Sequence, residues 1–292
     1  MNTPKIAILM AGFHGEKYLH EQIFSLKNQK QVEIDIFIRV DGDSLIFQSM
    51  LENLAIKNKN IFLLKGDILS SSGTNFYNLI LTMIDTTYDY YALCDQDDIW
   101  LENKLIRAVE CISNSESLAY SSGCTAFYFS GEKKVHQLGL QNKYDFLFQA
   151  AGPGCTYVLK NEGFIFLQNF LNENKKLLEV NAHDWLIYFI LRLAGKKWYL
   201  DQESNLFYRQ HSFNVAGINS GFVAKFKRFK LLFSGWYIED LKALHLFARS
   251  KGFTSNLLNP LSLRRSKIYS IVTWIYYHIF FKKKIINIEN ER

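Results

Sequence analysis

Short apolar runs alternate with longer segments of helical spacing through the first hundred residues. Lys5-Ile6-Ala7-Ile8-Leu9-Met10 ends at Ala11-Gly12. In residues 32–40, Val32, Ile34, Ile36 and Ile38 alternate with Glu33 and Asp35. Both patterns read as strands. Between them, residues 16–29 set Tyr18, Leu19, Gln22, Ile23 and Leu26 at helical spacing, and parallel pairing of the flanking strands needs such a crossover. Residues 45–56 read as a helix and 61–64 as a third strand. Ser70-Ser71-Ser72-Gly73 then introduces a helix over 75–85, and a fourth strand ends at Cys94-Asp95-Gln96-Asp97-Asp98. This alternation predicts an α/β fold with a doubly wound, mostly parallel sheet whose ligands bind beyond the carboxyl ends of the strands. The loop 11–15, Asp41 and residues 95–98 all fall at such ends.

Beyond residue 110 the pattern loosens. Residues 118–129 read as a strand or hairpin, Gly152-Pro153-Gly154 as a turn and 155–159 as a strand. Residues 162–171 and 185–193 read as helices. Trp198-Tyr199-Leu200 and Leu206-Phe207-Tyr208 read as two short strands around a turn. The expected organisation is a domain over 1–220, divided near residue 110, followed by a basic, aromatic helical tail over 221–292.

Composition and charge sharpen this picture. With 292 residues, 48% hydrophobic, and only 3 prolines, the chain has material for a large core and no flexible linker. The net charge of +6 is concentrated in the tail: from Lys225 onward there are 14 Lys/Arg against 4 Asp/Glu. Residues 268–281 form an apolar, aromatic run, including Trp274, Tyr276, Tyr277, Phe280 and Phe281, between Arg264-Arg265-Ser266-Lys267 and Lys282-Lys283-Lys284. Such a run is short of the roughly 20 residues that span a bilayer, and flanking cations favour a segment lying on an anionic membrane surface. Packing on the domain or in a dimer is the alternative. Residues 225–236, alternating cations with Phe and Leu, extend the same theme. No nucleic-acid-binding motif accompanies these cations. Cys94, Cys111, Cys124 and Cys155 lack metal or disulfide spacing and read as buried thiols in a reducing cytosol, and residues 1–5 show no signal peptide.

The acidic cluster carries the chemistry. Asp95, Asp97 and Asp98 sit behind an apolar strand, and carboxylates so close repel unless a cation or protonation relieves them. Oxygen ligands of this kind suit Mg²⁺ or Mn²⁺, which commonly bridge to substrate phosphates, as in a sugar nucleotide. The alternative is that Asp97 or Asp98 caps a helix over 100–110. No GxGxxG follows the first strand and no GxxxxGK[ST] occurs anywhere, which weighs against dinucleotide-binding and P-loop readings.

These motifs, taken in order, resemble the inverting GT-A glycosyltransferases of family 2 and their bacterial rhamnosyltransferase-like branch. The likeness spans about residues 5–217. It rests on Leu9-Met10-Ala11-Gly12-Phe13-His14-Gly15-Glu16-Lys17-Tyr18-Leu19 with Gln22, Ser25, Leu26 and Gln29, on Arg39-Val40-Asp41-Gly42-Asp43, and on Asp95-Gln96-Asp97-Asp98-Ile99-Trp100 with Lys104. His183-Asp184-Trp185 and Tyr208-Arg209-Gln210-His211 with Asn214 and Gly217 complete it.

The resemblance implies a role for each piece. Backbone groups of Ala11 and Phe13 would meet the donor's base and ribose, and Asp41 would accept hydrogen bonds from the pyrimidine or ribose. Val40 replaces the first acid of the family's pair and Asp43 stands where a serine is expected, so Asp43 is a potential substitute. Asp95 would contact ribose. Asp97 would hold the metal, Asp98 would support the loop or cap the helix, and Trp100 would be a secondary residue of the site. Asp184 would be the general base, flanked by His183 and Trp185. It also fits a helix N-cap, and the two roles are compatible. Arg209 would approach the diphosphate, and His211 the metal. The implied reaction is inverting transfer of a sugar, foremost L-rhamnose from dTDP-L-rhamnose, to a lipid-linked or growing cell-surface polysaccharide on the cytoplasmic face of the membrane. A UDP-hexose donor, a non-catalytic sugar-nucleotide binder and a metal-dependent nucleotidyl- or phosphotransferase are the rival readings.

Overall fold

The computed structural model describes residues 2–68, 71–83, 87–211, 235–253, 259–276 and 278. Strands β1 (Lys5–Gly12), β2 (Glu33–Val40), β3 (Ile61–Leu64) and β4 (Tyr90–Asp95) pair in parallel in the order β3-β2-β1-β4, as their alternating pattern predicts. The sheet continues through β8 (Val158–Lys160), antiparallel to β4, then β6 (Ala119–Tyr128), β9 (Trp198–Gln210) and the short β5 (Ile99–Trp100). A further strand, β7 (Lys133–His136), makes a hairpin with β6.

Period-two alternation along β1 divides the core. Ile6, Ile8 and Met10 face one side, meeting Leu19 and Ile23 of α1 (Leu19–Lys27), Phe47 and Leu51 of α2 (Leu45–Lys57) and Leu105 and Ile112 of α4 (Lys104–Ser115). Ala7 and Leu9 face the other side. There they join Phe76 and Tyr77 of α3 (Ser72–Thr82), Phe164 of α5 (Asn161–Glu173) and Ile187 of α6 (His183–Leu193). The expected helix-on-both-faces α/β architecture is thus present, with each fully buried large apolar side chain contributing about 1.5–3 kcal/mol.

Three local expectations are corrected. The helix after the acidic cluster starts at Lys104, not at 100, because Ile99 and Trp100 pair with Phe207 and Leu206 of β9. Asp97 and Asp98 therefore do not cap it. Residues 198–210 form one strand rather than two around a turn. The polar stretch that reads as a turn is held in the sheet by buried Asp201, which accepts bonds from Arg107 (2.6 and 2.9 Å) and Tyr120 (2.7 Å). The third concerns the expected tail.

Two further helices, α7 (Gly235–Ser250) and α8 (Lys267–Tyr276), lie in that segment. Tyr237, Leu241, Leu244 and Ala248 of α7 belong to the same core as α6, so residue 220 does not separate α7 from the domain. Arg264 and Arg265, expected to face headgroups, turn inward instead. Arg265 lies 3.7 Å from fully buried Asp145 and donates to the Ala150 carbonyl, while Arg264 Nη1 lies 3.3 Å from the Tyr237 hydroxyl. Residues 225–234 and 279–292, with Tyr277, Phe280, Phe281 and the lysines 282–284, lie outside the described residues, as do Asn214 and Gly217.

Candidate active site

The carboxyl ends of β1, β2 and β4 meet the first turns of α3 and α6. Ala11 stands beside Asp95 in the β1–β4 register. Asp41 is buried just beyond β2: its N–H donates to the Gly12 carbonyl (2.8 Å), and its carboxylate accepts from the Ser71 N–H (3.0 Å). Ser71 is also the N-cap of α3, so Asp41 is tied to that helix. Arg39, one turn of pleat earlier, is buried and donates to Asn75 Oδ1 (2.8 Å) and to the Asp67 carbonyl (2.5 Å). Phe13 projects its ring outward, while both its backbone groups are taken by the Gln96 side chain; the N–H···Oε1 distance is 2.6 Å. A Cβ on Gly15 would lie 2.4 Å from Gln96 Oε1, so glycine lets the loop close here. Asp43 is exposed and 3.8 Å from His14.

The acidic cluster is crowded. Burial first, then the Asp97 charge, pushes Asp95 up to about 7. The same two causes, with Asp95, hold the fully buried Asp98 well above the usual carboxylate range. Asp98 Oδ1 accepts the Arg209 N–H (3.2 Å), but Oδ2 has no hydrogen-bond partner among the described residues. Asp95, Asp98 and the Cys155 thiol can bring ligand atoms within 4.8 Å of one another. Asp97 and His211 meet directly, Nε2 to Oδ2 at 2.7 Å, and His211 stacks on Tyr18. Arg209 reaches Glu21 as well as the Asp97 carbonyl (2.8 Å), its guanidinium between Tyr18 and Phe127. It thus braces the acidic loop from below. Lys104 is fully buried with Nζ 3.5 Å from the centre of the Trp100 ring, and burial lowers it to about 8.

The crowded carboxylates of Asp95, Asp97 and Asp98, with the imidazole of His211 on Asp97, offer the oxygen and nitrogen donors that a divalent cation such as Mg²⁺ or Mn²⁺ accepts, while the Cys155 thiol beside Asp95 and Asp98 is a softer donor outside that set.

Asp184 lies in the first turn of α6, with its carboxylate accepting the Trp185 N–H (2.8 Å). The N-cap is Ala182, so Asp184 is inside the helix rather than its cap. Burial pushes it up to about 6, and its charge in turn raises Asp95. Next to it, His183 stacks on Phe76 (4.1 Å), and burial lowers it to about 3, leaving a neutral ring. Its Nε2 sits where a Cβ on Gly154 would be 2.5 Å away. Trp185 is buried, its indole donating to the Phe146 carbonyl (2.8 Å).

The structure therefore gathers Ala11, Asp41, Asp95, Asp97, Asp98, Arg209, His211 and Asp184 on one edge, with Phe13 and Asp43 at its exposed rim. Four contributors went unassigned in the sequence: Gln96, Asn75, Glu21 and Asp240 of α7. Gln96 was visible between two aspartates; the other three act across long sequence separations that spacing cannot reveal.

No family model matches the chain. The chain is 35% identical over 274 residues to the dTDP-rhamnosyl transferase RfbG of Shigella flexneri, a match covering 88% of this chain and 95% of that protein. Among solved structures, S. aureus TarS 1–349 in complex with UDP-GlcNAc superposes with a TM-score of 0.54 at 13% identity, covering 88% of this chain and 77% of that one. TarS 1–349 without that ligand gives a TM-score of 0.52 at 14% identity over 70% of this chain and 60% of that one. The chain thus spans about three-fifths of this second structure, and at such identities the likeness bears on the fold alone.

Proposed function

The chain belongs to the rhamnosyltransferase-like glycosyltransferase family of RfbG, and from that premise we propose that it moves L-rhamnose from dTDP-L-rhamnose onto a lipid-linked or growing cell-surface polysaccharide, with inversion at the anomeric carbon. The observation that carries this reading is the placement of one buried, still ionisable carboxylate, Asp184, beside the Asp95–Asp97–Asp98 cluster at the sheet edge.

In this reading Asp184 accepts the proton of the acceptor hydroxyl as its oxygen bonds to the anomeric carbon. The bond from that carbon to the diphosphate breaks on the opposite face, releasing dTDP. Asp41 and the backbone at Ala11 and Phe13 line the base and ribose, and Asp95 receives the ribose hydroxyls. Gln96, bonded to both backbone groups of Phe13, shapes that loop. Asp97 and His211 would hold Mg²⁺ or Mn²⁺, which when bound supplies positive charge to the departing diphosphate. Arg209 keeps the acidic loop in place, and its guanidinium adds positive charge nearby.

The protein acts at the cytoplasmic face of the cell membrane as a peripheral protein. Supporting the surface placement, α8 buries Ser270 and Thr273 and exposes Ile268, Ile271 and Ile275; no helix among the described residues is long and apolar enough to cross a membrane. A helix with its hydroxyl residues inward, and a lysine and isoleucines outward, suits an anionic lipid interface. Vesicles of anionic lipid should sediment the full chain and lose it on Ile271→Glu; equal sedimentation of both proteins would refute this placement.

The donor is tested by calorimetry with dTDP-rhamnose, UDP-hexoses and GDP-mannose, with and without Mn²⁺. Metal-dependent binding of dTDP-rhamnose, followed by dTDP release with acceptor, is the expected result. Preference for a UDP-hexose would replace the donor, and pyrophosphate or free sugar phosphate as product would replace the reaction class.

A further inference from the structure

Helix α6 begins without a side-chain cap of its own. Its N-cap is Ala182, which has no side-chain acceptor, yet the first turn carries the residue assigned as general base. The carboxylate that grips the two residues just before this turn comes from far along the chain. Asp240 of α7, only 1% exposed, accepts the Asn181 N–H (2.9 Å), the Asn181 side-chain amide (3.0 Å) and the Ala182 N–H (3.0 Å). No Lys or Arg among the described residues pairs with it. A buried carboxylate without a cation persists only when several N–H groups satisfy it, and here all three come from the two residues that lead into α6.

Other contacts grip the same turn. Tyr237, one helical turn before Asp240, stacks on Trp185 (5.2 Å between ring centres, 18° between planes) and donates its hydroxyl to the Phe148 carbonyl (3.0 Å). From the opposite side, the Tyr77 hydroxyl donates to the Val180 carbonyl (2.8 Å). A Cβ on Gly73 would lie 2.4 Å from the Asn181 carbonyl oxygen, so α3 approaches this loop as closely as a backbone can. The segment 180–185 is held between α3 and α7, and Asp240 is its only carboxylate clamp among the described residues.

We propose that Asp240 is a positioning residue for the sugar-transfer reaction: from α7 it fixes the entry into α6, and so the direction of the Asp184 carboxylate. The inference rests on the reading of Asp184 as the base. The ionisable groups facing Asp184 are Asp95 of β4, Tyr77 of α3, Tyr157 ahead of β8, His183 beside it and Asp240. Tyr77 and Tyr157 are phenols held protonated by burial, and His183 is neutral. Burial pushes the Asp240 carboxyl itself up, and its negative charge adds to burial in raising Asp184. Helix α7 therefore supports the reacting site, and two residues that the sequence keeps 56 positions apart meet at one turn.

The test is Asp240→Asn in the full chain, assayed for transfer from dTDP-rhamnose with Mn²⁺ and acceptor across a range of pH. Asparagine keeps the size but turns an N–H₂ group toward one of the amide donors and removes the charge. Because a misdirected base loses rate rather than donor affinity, kcat should fall on the order of 10- to 100-fold with the donor KM within about twofold. The acid limb of the kcat profile should also move to lower pH. Tyr237→Phe, which loosens α7 without removing the charge, should lower the melting temperature and leave the limb where it is in the unaltered protein. An Asp240→Asn enzyme with unaltered kcat and limb would overturn the proposal, and so would an equal shift of the limb in Tyr237→Phe. Asp184→Asn run alongside keeps the two claims apart: normal transfer by that variant sinks the base itself, whereas a dead Asp184→Asn with an unaffected Asp240→Asn sinks only the clamp.

Discussion

Replacing Asp184 by asparagine should abolish transfer and make the protein more stable at the same time. The carboxyl is pushed up to about 6 in the fold, chiefly by burial, against an ordinary value of 3.8. A raised carboxyl is ionised at a cost in the native state that the unfolded chain does not bear. Stability from this group is therefore greatest below pH 4 and declines as pH rises from about 4 to about 6, staying lower above that. At 1.36 kcal/mol per pH unit, the full difference is about 3 kcal/mol at pH 7, and partial exposure of Asp184 reduces it to roughly 1–3 kcal/mol. Asparagine keeps the Trp185 N–H bond through its Oδ1 and carries no such cost. For a chain of this length, about 2–3 °C per kcal/mol predicts a rise in melting temperature of roughly 2–9 °C at pH 7, shrinking toward zero at pH 4. Rate moves the other way, because loss of a general base costs on the order of 10²- to 10⁴-fold. In the unaltered enzyme the active form is the carboxylate. About 90% is ionised at pH 7, half at pH 6 and about 10% at pH 5, so kcat should fall about fivefold from pH 6 to pH 5 and approach tenfold per unit below that. Differential scanning fluorimetry at pH 4 to 8 and a pH–rate profile give both readings. An Asp184→Asn protein that melts lower at pH 7, or an acid limb well away from 6, would refute the assignment of a buried, costly base.

Gly73→Ala places a methyl carbon 2.4 Å from the Asn181 carbonyl oxygen, so α3 or the loop before α6 must move; about 1–3 kcal/mol of stability should be lost, with kcat falling more than donor binding. Wild-type kcat with a wild-type melting temperature would show that this approach is not tight. Asp97→Ala should lose the Mn²⁺ dependence of donor binding seen in calorimetry and reduce transfer on the order of 10²- to 10³-fold. Retained metal-dependent binding would move the metal away from Asp97. Arg209→Met removes the contact with the Asp97 carbonyl and the Glu21 ion pair, and should weaken metal-dependent donor binding while leaving the fold intact, which circular dichroism and calorimetry separate.

How much of this molecule can be read from its sequence depends on how local each determinant is. The first four strands and their helices are legible because period-two and period-3.6 patterns are properties of neighbouring residues, and the sheet edge follows from them with Ala11, Asp41 and Asp95 already in place. Where polar residues are satisfied at a distance, the pattern misleads. Asp201-Gln202-Glu203-Ser204-Asn205 has the composition of a turn, yet Arg107, ninety-four residues earlier, pairs with Asp201 and keeps β9 continuous. Ile99-Trp100 has the look of a helix start, yet β9 claims it as a strand and leaves Asp98 buried against the Arg209 amide. The basic tail is the same case in reverse. Arg264 and Arg265 count toward a cationic patch in the sequence, while Asp145 and Tyr237 draw them into the domain. The apolar surface that remains in α8 is defined by which residues point outward, Ile268, Ile271 and Ile275, and not by the count of charges around it. Asp240 follows the same logic. Nothing near it in the sequence marks it, because its partners are amides that any residue carries, and only the fold decides which amides a buried carboxylate will meet.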